Sequence, residues 1–90
     1  MKLTCANISL DEIAPIEKMG IEAIENGDAV FDFTEVTKAD SAMLALLLQW
    51  IRKSKSKGLV PEIKNMPEGM WSLARLYGVR ELLRPYCQKH

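Results

Sequence analysis

From Ser41 to Ile51 the chain runs S-A-M-L-A-L-L-L-Q-W-I without one charged residue. Leu44, Leu47, Leu48 and Ile51 recur at i, i+3, i+4 and i+7, the spacing of a helix with an apolar face. At about 100° per residue, Met43, Leu46 and Trp50 form a second apolar stripe roughly a third of a turn away. Ser41, Ala45, Gln49 and Arg52 form a third stripe, small and polar. A helix with two apolar faces must lose water from both. The first face meets a sheet; the second either packs on a neighbouring helix or receives a partner.

The flanks place this helix. Ala29-Val30-Phe31-Asp32-Phe33 reads as a strand between turn residues, and Thr34 to Asp40 as a loop with Val36 and Ala39 as apolar anchors. Asp40 and Ser41 are both good N-cap residues, so capping explains either but not the pair. Helix N-termini attract anions. Phosphorylation of Ser41 would add up to about two negative charges there and would break any docking onto a neutral hydroxyl. At the other end Arg52, Lys53, Lys55 and Lys57 precede Gly58, where cations favour the negative end of the helix dipole. That run reads as a solvated helix terminus rather than a phosphate or lipid site.

Upstream, Lys2 to Ala6 resembles the end of a strand. Ser9-Leu10-Asp11-Glu12 has the form of a capping box. A helix follows, with Ile13, Ile16, Met19-Gly20 and Ala23-Ile24 inward; Pro15 sits in its early turns, and Asn26-Gly27-Asp28 ends it. Downstream, Leu59 to Ile63 reads as a strand that Pro61 confines to an edge or bulge. Pro67 opens a third helix with Asn65 or Met66 as cap, and Met70, Leu73, Ala74 and Tyr77 form its apolar stripe. Gly78 closes it, Glu81-Leu82-Leu83 adds a short turn, and Arg84-Pro85 ends order. Strands joined through helices imply an α/β fold with mostly parallel pairing and helices packed on a small sheet.

The rest of the sequence excludes more than it adds. Ninety residues make one domain, 1–90. The net charge of zero argues against nucleic acid as the main partner. No apolar run approaches the ~20 residues of a membrane span and no signal peptide opens the chain, so a cytoplasmic location without membrane insertion is expected. Cys5 and Cys87 have neither a C-x-x-C nor a metal-like spacing, and in a reducing compartment both are expected as thiols. The only histidine is His90. Asp32, Glu35 and Asp40 cluster near one strand end without a base or nucleophile in reach, and no glycine-rich phosphate loop appears. Neither catalysis, metal nor cofactor is expected.

The string from Asp32 to Leu47, D-F-T-E-V-T-K-A-D-S-A-M-L-A-L-L, resembles the signature of STAS domains, the fold of bacterial anti-sigma factor antagonists and sulfate-transporter tails. Leu3-Thr4, Asp40 to Trp50, Asn65 to Glu68 and the tail L-A-R-L-Y-G-V-R-E-L-L from Leu73 to Leu83 are similar to one branch. That branch is the small cytoplasmic STAS subunit of Mla-type phospholipid ABC transporters, also called toluene tolerance proteins. The resemblance implies a non-catalytic subunit that binds and supports the transporter's ATPase, peripheral to the inner membrane through that partner. It implies a contact surface of Lys38, Asp40, Ser41, Ala42, Met43, Ala45 and Gln49. In anti-sigma factor antagonists the position of Ser41 is the one phosphorylated, by an anti-sigma factor kinase, and that is the alternative role. Two departures stand out. Met43 replaces the signature glycine. The strands that usually precede Leu3-Thr4 are shortened, leaving a ladder edge that a partner or a second copy, in a homodimer, would cover.

Overall fold

A computed structural model describes residues 1–87. The expected capping box is replaced by a different closure: the Ser9 hydroxyl donates to Glu12 Oε2 at 2.6 Å, the Glu12 amide donates to the Ser9 carbonyl, and the cap position of the following helix, Glu12, makes no side-chain cap bond. These bonds close a 3-10 turn, Leu10–Glu12, that leads into helix α1, Ile13–Glu25. Pro15 thus falls in the first turn of α1, where a missing amide costs nothing. Helix α2 spans Ser41–Ser56 and α3 spans Glu68–Leu76. Gly27, Gly58 and Gly78 follow the three helices with φ of 86°, 76° and 72°, the left-handed stops anticipated for them.

Among the described residues all strand pairing is parallel. Strand β1, Asn7–Ile8, pairs with β3, Lys38–Ala39; β2, Val30–Asp32, pairs with β4, Glu62–Lys64, with Phe31 opposite Ile63. Lys2 bridges Asp32 on the far side of β2, and Cys87 bridges Ile63 on the far side of β4. The α/β fold with small parallel sheets is as the alternation of elements implied.

Several local expectations change. Lys38–Ala39 is a strand, not loop, because Ala6 accepts the amides of both Thr37 and Lys38 (2.8 and 3.0 Å). The first strand lies at Asn7–Ile8 rather than Lys2 to Ala6. The fourth begins at Glu62, just after the amide-free and buried Pro61. Helix α3 starts one residue later than Pro67, which is its cap, and it ends before Tyr77, which is 56% exposed. Order continues past Arg84-Pro85 through a short helix α4, Arg80–Leu83, and a 3-10 turn, Arg84–Tyr86. Cys5 and Cys87 are free thiols, and desolvation raises Cys87 to about 11. His90 lies outside the described residues.

The core explains the second apolar stripe of α2. Met43, Leu46 and Trp50 are all buried, so this stripe packs inward and does not await a partner. Trp50 stacks on Phe31 of β2, with ring centroids 5.2 Å apart at 28°. The indole also lies against α1 at Gly20, where an added Cβ would come within 2.1 Å of Cε2. Gly20 is therefore a seat for Trp50, and α1 approaches α2 closely only because nothing projects there. Leu48, by contrast, is only half-buried, packed against the outside of the core.

A methyl group on Gly20 would meet the indole directly. Gly20→Ala should cost about 1–3 kcal/mol, the range for overpacking a filled core. In urea denaturation that cost should shrink strongly in a Trp50→Ala background. Equal costs in the two backgrounds would remove the Gly20–Trp50 contact from the account.

Candidate functional site

The segment leading to α2 is held by polar bonds rather than burial alone. At the C-terminal end of β2, Asp32 Oδ1 accepts the Thr34 amide at 2.9 Å and also the Thr34 hydroxyl. Asn65, in the left-handed region with φ of 56°, donates its side-chain amide to the same Thr34 oxygen at 2.8 Å. The Thr34 donors hold the Asp32 carboxyl below the usual carboxylate range. Val36, buried, then turns the chain, its amide donating a hydrogen bond to Phe33 O at 2.9 Å. Thr37 ties the next step to the N-terminal segment, its hydroxyl donating to Ala6 O at 3.0 Å. Lys2 and Glu35 pair at 3.1 Å across the same region. The loop therefore delivers β3 and the head of α2 at a fixed place. Neither the Asp32–Thr34–Asn65 cluster nor the Ala6–Thr37 tie was among the sequence candidates. The D-F-T pattern at Asp32 was the one local signal for the former, since Asp and Thr readily close such turns.

At the helix mouth the two candidate caps separate. Asp40 has extended backbone angles, φ −97° and ψ −173°, and its Oδ1 accepts the Ala42 amide at 3.0 Å. Asp40 is the cap. Ser41 is the first helical residue, exposed, and its hydroxyl makes no hydrogen bond among the described residues. The two adjacent polar residues thus have different tasks, one structural and one free.

Seven residues were expected to form the contact surface, and six have accessible surface. Lys38, Asp40, Ser41, Ala45 and Gln49 are exposed and Ala42 is half-buried. Met43 is the correction. It has no accessible surface and lies in the core beneath the helix head, so it supports the surface from inside and touches nothing outside it. Where a glycine would leave room, the buried methionine side chain fills core volume. Along α2 the exposed line continues from Ser41 through Ala45 and Gln49 to Arg52. Its side chains are short over the first two turns, so another backbone can come close.

The nearby carboxylates are occupied. Asp32 holds Thr34, Glu35 pairs with Lys2, and Asp40 caps α2. Among the described residues no group of three or more His, Cys, Asp or Glu is placed to hold a metal ion. The arrangement offers a shaped, nearly neutral surface with one free hydroxyl.

The division of labour at the helix mouth has a measurable consequence. Asp40→Ala should destabilise the fold by roughly 0.5–2 kcal/mol, the cost of losing a cap. Ser41→Ala should leave the denaturation midpoint nearly unchanged. The reverse order would make Ser41 the structural residue.

The model of the family described as "Mlab, STAS domain" matches residues 7–85, which takes in every element from β1 through α4. No curated protein and no solved structure matches the chain. With most of its length matched, and parallel strand pairs alternating with helices, the chain belongs to the STAS domain family.

Proposed function

We propose that this protein is the non-catalytic accessory subunit of an intermembrane phospholipid ABC transporter, binding the transporter's cytoplasmic ATPase and supporting its assembly. The observation that carries this reading is the free hydroxyl of Ser41. It heads an exposed line of small side chains on a helix whose cap, Asp40, is already supplied. A surface of this kind suits close docking of a protein backbone, and the family description points to the transporter branch. The tail motif from Leu73 to Leu83, similar to that branch, supports the same choice. In this reading the protein sits at the cytoplasmic side of the inner membrane through its partner. No helix among the described residues is long and apolar enough to cross a membrane, which is compatible with attachment through a partner.

One observation favours a second reading. Ser41 is exposed and unbonded at a helix N-terminus, where a phosphate group would be electrostatically welcome. The chain would then act as an anti-sigma factor antagonist whose partner, an anti-sigma factor kinase, releases it by phosphorylating Ser41.

Co-expression of the tagged chain with the phospholipid-transporter ATPase of the same genome separates the two. The transporter reading expects a stable complex that Ser41→Arg abolishes while the variant stays folded. Failure of the wild-type chain to retain the ATPase, or retention by Ser41→Arg as strong as wild type, would refute it. Phosphate on Ser41 after incubation with an anti-sigma factor kinase would transfer the case to the second reading.

A further inference from the structure

A chain with no net charge distributes its cations unevenly. From Ser41 to Gly58 it carries Arg52, Lys53, Lys55 and Lys57 and no carboxylate. Two of the cations within α2 have neighbours inside the fold. Lys53 reaches Glu25 of α1, Nζ to Oε2 3.9 Å. Lys55 sits over the Tyr86 ring on the opposite flank, 5.7 Å from its centroid. In projection down the helix, Lys53 lies about 100° to one side of Arg52 and Lys55 about 60° to the other. Arg52 stands between them, exposed, with no ion-pair partner among the described residues. It is eleven residues from Ser41, so it lies within about 20° of the same line and about 16 Å further along the axis. Lys38, exposed at the other end of the surface, is likewise without an ion pair among the described residues.

We infer that Arg52 is the charged anchor of the surface headed by Ser41, and that the ATPase presents carboxylates opposite it. The inference rests on the docking reading above and adds the chemistry of the partner's side. A guanidinium offers paired donors that match a carboxylate, and its planar fork fixes register as well as charge. Held at the edge of a close-packed neutral strip, it steers encounter and selects a partner with the opposite potential. Lys38 extends the same demand to the other end of the surface. A phosphate backbone or an anionic bilayer is a poorer match. The middle of the strip, Ala45 and Gln49, is uncharged, and phosphate binding draws on a dense array of cations.

The test measures affinity of the full chain for the co-expressed ATPase at about 50 mM and about 500 mM salt, which brackets strong and weak screening of exposed charges. Arg52→Glu should weaken binding about tenfold or more at low salt, with the gap closing at high salt. Arg52→Lys should recover only part of the affinity, since an ammonium keeps the charge but not the paired donors. Because Arg52 is exposed and unpaired, the thermal midpoint of each variant should match wild type. The inference is overturned if Ser41→Arg abolishes binding while Arg52→Glu keeps wild-type affinity and salt dependence. It is also overturned if Arg52→Glu abolishes binding to phosphatidylglycerol vesicles and leaves the ATPase unaffected. If neither Ser41→Arg nor Arg52→Glu changes binding, the docking reading and the anchor fall together. If Arg52→Glu alone weakens binding in the salt-dependent way, the anchor stands and the role of Ser41 falls.

Discussion

The rotation of α2 about its own axis is fixed by one side chain. Trp50 stacks on Phe31 of the sheet and presses against the bare backbone of Gly20 on α1. An indole clasped between a ring and a glycine cannot turn without a clash on one side or a void on the other. Once Trp50 is set, Met43, Leu46 and Leu47 must point inward, and Ser41, Ala45, Gln49 and Arg52 must point outward. The surface proposed for partner binding is therefore a consequence of core packing on the opposite side of the same helix. The clasp leaves the indole Nε1 buried without a hydrogen-bond partner among the described residues, a polar cost accepted at this junction.

The head of the helix is placed by a second, polar constraint. The Asp32–Thr34–Asn65 cluster ties the ends of β2 and β4 to the turn between them and the loop, and Ala6 catches Thr37 and Lys38. Together they deliver Asp40 in the extended conformation that a cap requires. The cap is thus satisfied before Ser41 is reached. Packing and polar bonding converge on one outcome, a serine hydroxyl at a helix mouth with no structural work to do.

How much of this was legible in the sequence varied with the range of the interaction involved. Local signals held where they were simplest: the start of α2 after Asp40 and the glycine stops each depend on neighbours within a few residues, whereas Ser9 and Glu12 bond to each other through their side chains rather than as a capping box. The STAS fold was readable through the resemblance, and parallel pairing through the alternation of elements. Strand β3 was not legible. Two residues show no periodicity, and what makes them a strand is the segment around Ala6, some thirty residues away in sequence. The fate of the second apolar stripe was also undetermined, because a helical wheel shows that a face must be covered but not by what. Gly20 carried the answer, yet in α1 it looks like any small residue on an inward face. Asp40 and Ser41 were recognised together but could not be told apart, since both have the chemistry of a cap. Met43 was placed on the surface because the position of a signature glycine was carried over without the burial that a methionine imposes.

The central claim is that the exposed line of α2 is where the partner sits. Its most direct test is the footprint of the co-expressed ATPase on the isotopically labelled chain, read as chemical-shift changes in the bound state. The account predicts that the largest changes fall on Lys38, on Ser41 and Ala45, and on Gln49 and Arg52, with the indole signal of Trp50 nearly unmoved. Changes centred on α3 and α4, with the head of α2 unperturbed, would contradict it.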